Sequence, residues 1–77
     1  MNRYIATFHS HFGAMLYCQA LKKQGICVKP MPVPRKVSSS CGTCASYEHN
    51  MFIDLDDCEL DGIYLEFDDT LECVLKK

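Results

Sequence analysis

YIATFHSHFGAMLYCQALKKQG, residues 4–25, is the stretch whose reading decides the fold. Residues 4–8 alternate in the manner of a strand and run into His9-Ser10-His11. From 12 to 24 the period changes. Ala14, Tyr17, Cys18 and Leu21 recur at three- and four-residue spacing, the pattern of a helix with one apolar face. Ser10 is a good N-cap, because its hydroxyl can accept from an N–H of the first turn that has no partner inside the helix. Lys22, Lys23 and Gln24 polarise the far end, and Gly25 stands where a left-handed residue usually stops a helix. A strand followed by such a helix sets up a right-handed crossover, so the next strand should run parallel to the first.

Outward from that unit, residues 26–33 read as a second strand, with Ile26, Val28 and Met31 as core candidates. Pro30, Pro32 and Pro34 confine it to a sheet edge, since proline cannot donate to a ladder. Residues 34–42 have loop composition, and 43–48 suit a third strand. Residues 51–60 admit a short helix with Phe52, Leu55 and Leu60 inward, although their acidic residues and poor periodicity suit an irregular segment equally well. Residues 63–67 form a clear strand, and Asp68-Asp69-Thr70 turns the chain into 71–75, a hairpin partner or a frayed end. This order predicts an α+β fold: a ferredoxin-like split βαβ sandwich, an antiparallel sheet with helices on one face. The end of strand one and the loop after strand two would then emerge at the same edge of the sheet, beside the start of the helix.

The 77 residues suit a single domain spanning 1–77. An apolar content of 48% and a charged content of 23% argue against disorder. A net charge of −2 gives no general attraction to nucleic acid or to anionic lipid. No secretory pattern is visible, and no apolar stretch approaches membrane-spanning length. The expectation is a cytoplasmic protein whose six cysteines are thiols rather than three disulfides. Charge is segregated along the chain: basic residues concentrate between Lys22 and Lys36, acidic ones between Asp54 and Glu72. That asymmetry predicts an electropositive surround for the loop after the second strand.

The loop holds the chemistry. PRKVSSSCGTC, residues 34–44, places Cys41 and Cys44 two residues apart among small hydroxyl residues and glycine, next to Arg35 and Lys36. Nothing in it is apolar enough to bury the sulfurs, and cations or a helix N-terminus lower a thiol's pKa toward the reactive thiolate. Cys41 is the candidate nucleophile, against the alternative of an idle loop thiol. Arg35, Lys36, Ser38, Ser39, Gly42 and Ser10 are candidates to bind an anionic adduct on it. Cys44 reads either as a resolving thiol or as a small residue opening the third strand. Cys41, Cys44, His9 and His11 would make a tetrahedral zinc set, although one CxxC is only half of a zinc site. Cys18 and Cys27 read as small core residues. Cys58 and Cys73 carry no signal. The acids from Asp54 to Asp61 lack the glycine and the closing glutamate of a calcium loop and read as a solvated face.

Phe8-x-Ser10 ahead of a helix, a hydrophobic strand ending in Val33-Pro34-Arg35, and Val37-Ser38-Ser39-x-Cys41-Gly42 resemble a family of small selenium/sulfur (Se/S) carrier-like proteins. The likeness extends from the N-terminal strand to the neighbourhood of Ala45. The resemblance implies a cytoplasmic bacterial or archaeal protein whose Cys41, with Gly42 beside it, takes sulfur or selenium from a donor protein as a persulfide-type adduct and passes it to an acceptor, without a cofactor. Cys44 departs from the ordinary strand residue expected there, and the acidic region after Asn50 departs from the expected second helix. Three classes of function follow: a non-enzymatic carrier, a CxxC dithiol redox or sensor module, and a metal-stabilised interaction domain.

Overall fold

The computed structural model describes residues 1–37 and 42–77. Ser38, Ser39, Ser40 and Cys41 lie outside the described residues. The elements are β1 (Asn2–Phe8), α1 (His11–Lys23), β2 (Val28–Pro32), β3 (Thr43–His49), a 3-10 turn (Asp56–Cys58), β4 (Leu60–Phe67) and β5 (Thr70–Lys76). The strands form one five-stranded sheet in the order β2-β3-β1-β4-β5. Every neighbouring pair is antiparallel, so β1 and β2 run parallel with β3 between them. The fold is a small α+β domain, one helix against a five-stranded antiparallel sheet. It differs from the expected sandwich in carrying one helix among the described residues, while Thr70–Lys76 takes the hairpin alternative as a fifth strand.

The central strand is buried on both faces. Tyr4, Ala6 and Phe8 belong to the core beneath α1, with Ala14, Tyr17, Cys18 and Leu21 of the helix. Ile5 and Thr7 alternate to the opposite face and are also buried. Val37 is buried as well, and the Lys36 ammonium donates to the carbonyl of Asp69 in the β4–β5 turn. Residues 33–37 therefore leave the β2 edge and reach the far side of the sheet.

Local sequence explains the ends of α1. Ser10 caps it, accepting from the Gly13 N–H at 3.1 Å. Gly25, at a φ of 79°, closes it, while the Ile26 N–H turns back to the Leu21 carbonyl at 3.0 Å. That last bond holds Ile26 in the helix cap, which is why β2 begins at Val28 and not at 26 as the pattern suggested.

The acidic segment after Asn50 forms no α-helix; residues 52–55 are irregular and only Asp56–Cys58 make a helical turn. The cause is tertiary. Phe52, Ile53 and Leu55 pack on the core, and the backbone of Ile53 is claimed from both sides. Its carbonyl accepts from the Tyr17 hydroxyl at 2.7 Å, and its N–H donates to the Tyr47 hydroxyl at 3.0 Å. Asp54 and Asp56 turn outward to the Lys77 ammonium at 2.7 and 3.1 Å, matching the solvated acidic face.

Gly13 permits this segment to approach α1. A Cβ at that position would lie 2.1 Å from the Cys58 carbonyl oxygen, a backbone atom that cannot swing aside. Gly13→Ala is expected to destabilise the fold by about 1–3 kcal/mol through overpacking, although alanine favours helix. Urea unfolding of the two proteins checks this, and an unchanged or raised midpoint would contradict the close approach.

Candidate functional site

The site is organised by the corner where β1 passes into α1. Thr7 pairs with Cys44, and Pro32 with Thr43, so the end of β1 and the end of β2 lie at one edge of the sheet. The Val33 N–H donates to the Gly42 carbonyl at 3.1 Å and closes the base of the loop bearing Cys41. One residue on, the Thr43 hydroxyl lies 3.2 Å from His11 Nδ1 in the first turn of α1. The base of the loop is thus tied to the N-terminus of α1, as the crossover argument required. The Thr43–His11 contact that makes the tie was not itself legible in the sequence.

Of the candidate residues, Ser10 is engaged twice. Its hydroxyl caps α1 and donates to Glu59 Oε2 at 2.7 Å. Arg35 is exposed in the turn after β2, while the Lys36 ammonium is directed to Asp69. Gly42 is exposed, and among the described residues nothing within 4 Å would meet a Cβ there. Cys44 is the second residue of β3, fully buried, with its Sγ donating to the Pro32 carbonyl at 3.7 Å. Cys41, Ser38 and Ser39 fall among the residues not described.

The corner is less electropositive than the chain's charge segregation suggested. Glu59 meets Ser10, and the Asp61 carboxylate lies 3.6 Å from His9 Nε2 and 3.1 Å from the Lys76 ammonium. The turn before β4 returns these acids to the end of β1, where the His9 N–H donates to the Glu59 carbonyl at 2.9 Å. Sequence distance from the loop did not translate into spatial distance. His9 and His11 also diverge, one toward Asp61 on the β4 side and the other toward Thr43 on the β3 side. Among the described residues no group of three or more His, Cys, Asp or Glu is placed to hold a metal ion.

The remaining cysteines separate by burial. Cys18 in α1 and Cys58 in the 3-10 turn are buried, whereas Cys27 and Cys73 are exposed. Cys27 departs from the core role expected of it, because the helix cap displaces it to the connection ahead of β2. Burial pushes the Cys18 thiol up, with Lys22 opposing, and burial together with Asp57 pushes the Cys58 thiol up.

The family described as Putative Se/S carrier protein-like matches this chain over residues 3–58. No curated protein and no solved structure matches it.

The raised thiols predict a pH dependence. The folded chain keeps Cys18 and Cys58 protonated while the unfolded chain releases their protons, so their contribution is intact below about pH 8.5 and is lost as pH rises above it. The urea midpoint should fall between pH 8 and pH 10. In the same range an alkylating reagent should label Cys27 and Cys73 well before Cys18 and Cys58. A flat midpoint together with uniform labelling would contradict this assignment.

Proposed function

Because this chain belongs to the Se/S carrier-like family, we propose that it is a sulfur or selenium carrier that holds a persulfide-type adduct on Cys41. In the loading step the Cys41 thiolate attacks the outer sulfur of a donor protein's persulfide. A new S–S bond forms, the donor's S–S bond breaks, and the donor leaves as a thiolate. Delivery repeats the exchange toward an acceptor thiolate. No net oxidant is consumed. A selenium atom would be held in the same way.

The observation that carries this reading is the family match across residues 3–58, which includes Cys41, together with the tie between the loop base and the start of α1. An anionic adduct needs donors. The N–H groups of His11 and Phe12 have no acceptor inside α1, and the helix end carries partial positive charge. Arg35, Ser38, Ser39 and Gly42 are the groups assigned to hold the adduct, because Lys36 is directed to Asp69 and the Ser10 hydroxyl is taken by Gly13 and Glu59. Gly42 leaves room for a partner's backbone, and the exposed Phe12 and Met15 flank His11 as apolar footing for a donor or acceptor protein. Among the described residues no helix is long and apolar enough to cross a membrane.

The burial of Cys44 in β3 favours its reading as a strand residue over a resolving thiol.

Incubation with a protein persulfide should add about 32 Da, the mass of one sulfur left by exchange. The increment should disappear in Cys41→Ser and persist in Cys44→Ser. An unchanged mass in the parent protein would refute the carrier reading. A two-proton loss on mild oxidation that needs both cysteines would replace it with the dithiol one.

A further inference from the structure

The connection between β2 and β3 is fastened at two diagonally opposite corners of the sheet. It leaves β2 at the corner where Pro32 pairs with Thr43, and there the Val33 N–H donates to the Gly42 carbonyl at 3.1 Å. The β4–β5 turn, where Phe67 pairs with Thr70, is the opposite corner, because β4 runs antiparallel to β1 and β1 runs parallel to β2. The Lys36 ammonium nonetheless donates to the Asp69 carbonyl in that turn. The turn that receives it is tight. Asp68 and Asp69 both take the left-handed conformation, at φ 49° and 64°, as a two-residue hairpin turn requires. Residues 34–37 make a turn of their own, in which the Val37 N–H donates to the Pro34 carbonyl at 3.0 Å.

A chain that joins these corners crosses a face of the sheet, and burial shows which one. Helix α1 and residues 52–55 pack on the face that carries Tyr4, Ala6 and Phe8. Alternation puts Ile5 and Thr7 on the other face, and pairing adds Cys44, which stands opposite Thr7. Ile5, Thr7 and Cys44 are all buried, although among the described residues no helix lies over them. Their burial is an observation independent of the Lys36 bond. Val37, next to Lys36, is buried too.

We propose that residues 33–37 are a strap that keeps the Cys44 thiol away from solvent, with Lys36 as its fastening at the β4–β5 turn. Cys44 is the second thiol of the CxxC pair. A fastened strap withholds it from thiol exchange, and an opened strap adds a second nucleophile to the motif. The strap therefore sets whether the pair acts with one thiol or with two. The bond from Lys36 to Asp69 is exposed to water, which makes it the fastening that opens first. The device does not rest on the carrier reading, and its test involves no sulfur donor.

The full chain is alkylated with iodoacetamide under native conditions at one pH, and peptide fragmentation in the mass spectrometer follows each cysteine separately. Cys18 and Cys58 belong to the core on the α1 face and serve as internal references, since opening of the strap does not reach them whereas unfolding of the whole chain does. Lys36→Ala should raise the Cys44 rate relative to those two by about fivefold or more, the effect of losing one net hydrogen bond. Lys36→Arg should restore the parental ratio, because a guanidinium still donates to a carbonyl. Val37→Ala should also raise the ratio. Combined with Lys36→Ala it should add less than its own factor, because both residues hold one strap. A ratio unchanged in Lys36→Ala, one that Lys36→Arg does not restore, or a rise shared equally by all three buried thiols overturns the proposal.

Discussion

The phenol hydroxyls of Tyr17 and Tyr47 close on the backbone of one residue, Ile53, and much of the rest depends on that clamp. An irregular segment laid over a core must satisfy its buried peptide groups without a helix or a ladder. Here α1 and β3 each send a tyrosine into the core, and each hydroxyl takes one of the two Ile53 groups. The rings also build the core itself. Tyr17 lies against Phe8 with centroids 5.2 Å apart and against Tyr47 at 5.8 Å, and Tyr47 continues to Tyr4 at 5.5 Å. Burial pushes both phenols above their ordinary pKa, so they remain neutral donors and acceptors at any physiological pH.

The clamp has consequences at the β1–α1 corner. With Ile53 fixed, the 3-10 turn is delivered against α1, where the absent side chain of Gly13 admits the Cys58 carbonyl. Glu59 follows in the left-handed conformation, φ 52°, and that bend aims its carboxylate at the cap residue Ser10. The start of α1 is therefore held from two directions. The 59–61 stretch holds it through Ser10 and His9, and β3 holds it through the Thr43–His11 contact. A helix end anchored in this way keeps its amides at a fixed height above the sheet edge.

What the sequence disclosed was local. The α1 period, its Ser10 cap and its Gly25 stop depend on residues within one or two turns of each other, and they were readable for that reason. The edge position of β2 was readable too, since Pro30 and Pro32 forbid a second ladder wherever the strand sits. Residues 51–60 were not, because their conformation is decided by hydroxyls from residues 17 and 47. Cys27 was misplaced for a smaller reason, the Ile26 N–H turning back into the helix cap. The return of Glu59 and Asp61 to the end of β1 was not legible either, because segregation along a chain says nothing about where a turn returns. A glycine at the third position of a helix, poor in propensity and without a turn to make, was the available signal that something approaches there.

The acids at the corner change which groups can stabilise an anion. Lys36 is committed to the Asp69 carbonyl on the other side of the sheet, and Lys76 to Asp61. Side-chain cations thus contribute less to the field there than their number in the sequence implies, and Glu59 and Asp61 oppose it. The backbone amides at the start of α1 are not so committed, since the Ser10 hydroxyl serves Gly13 and leaves His11 and Phe12 without intrahelical acceptors. Amide donors of this kind act over one turn and are indifferent to pH. On the carrier reading, selectivity for a compact anion such as a persulfide follows from that short range. A thiolate held by amides is stabilised only at one place, whereas one held by lysines would be stabilised across a whole surface.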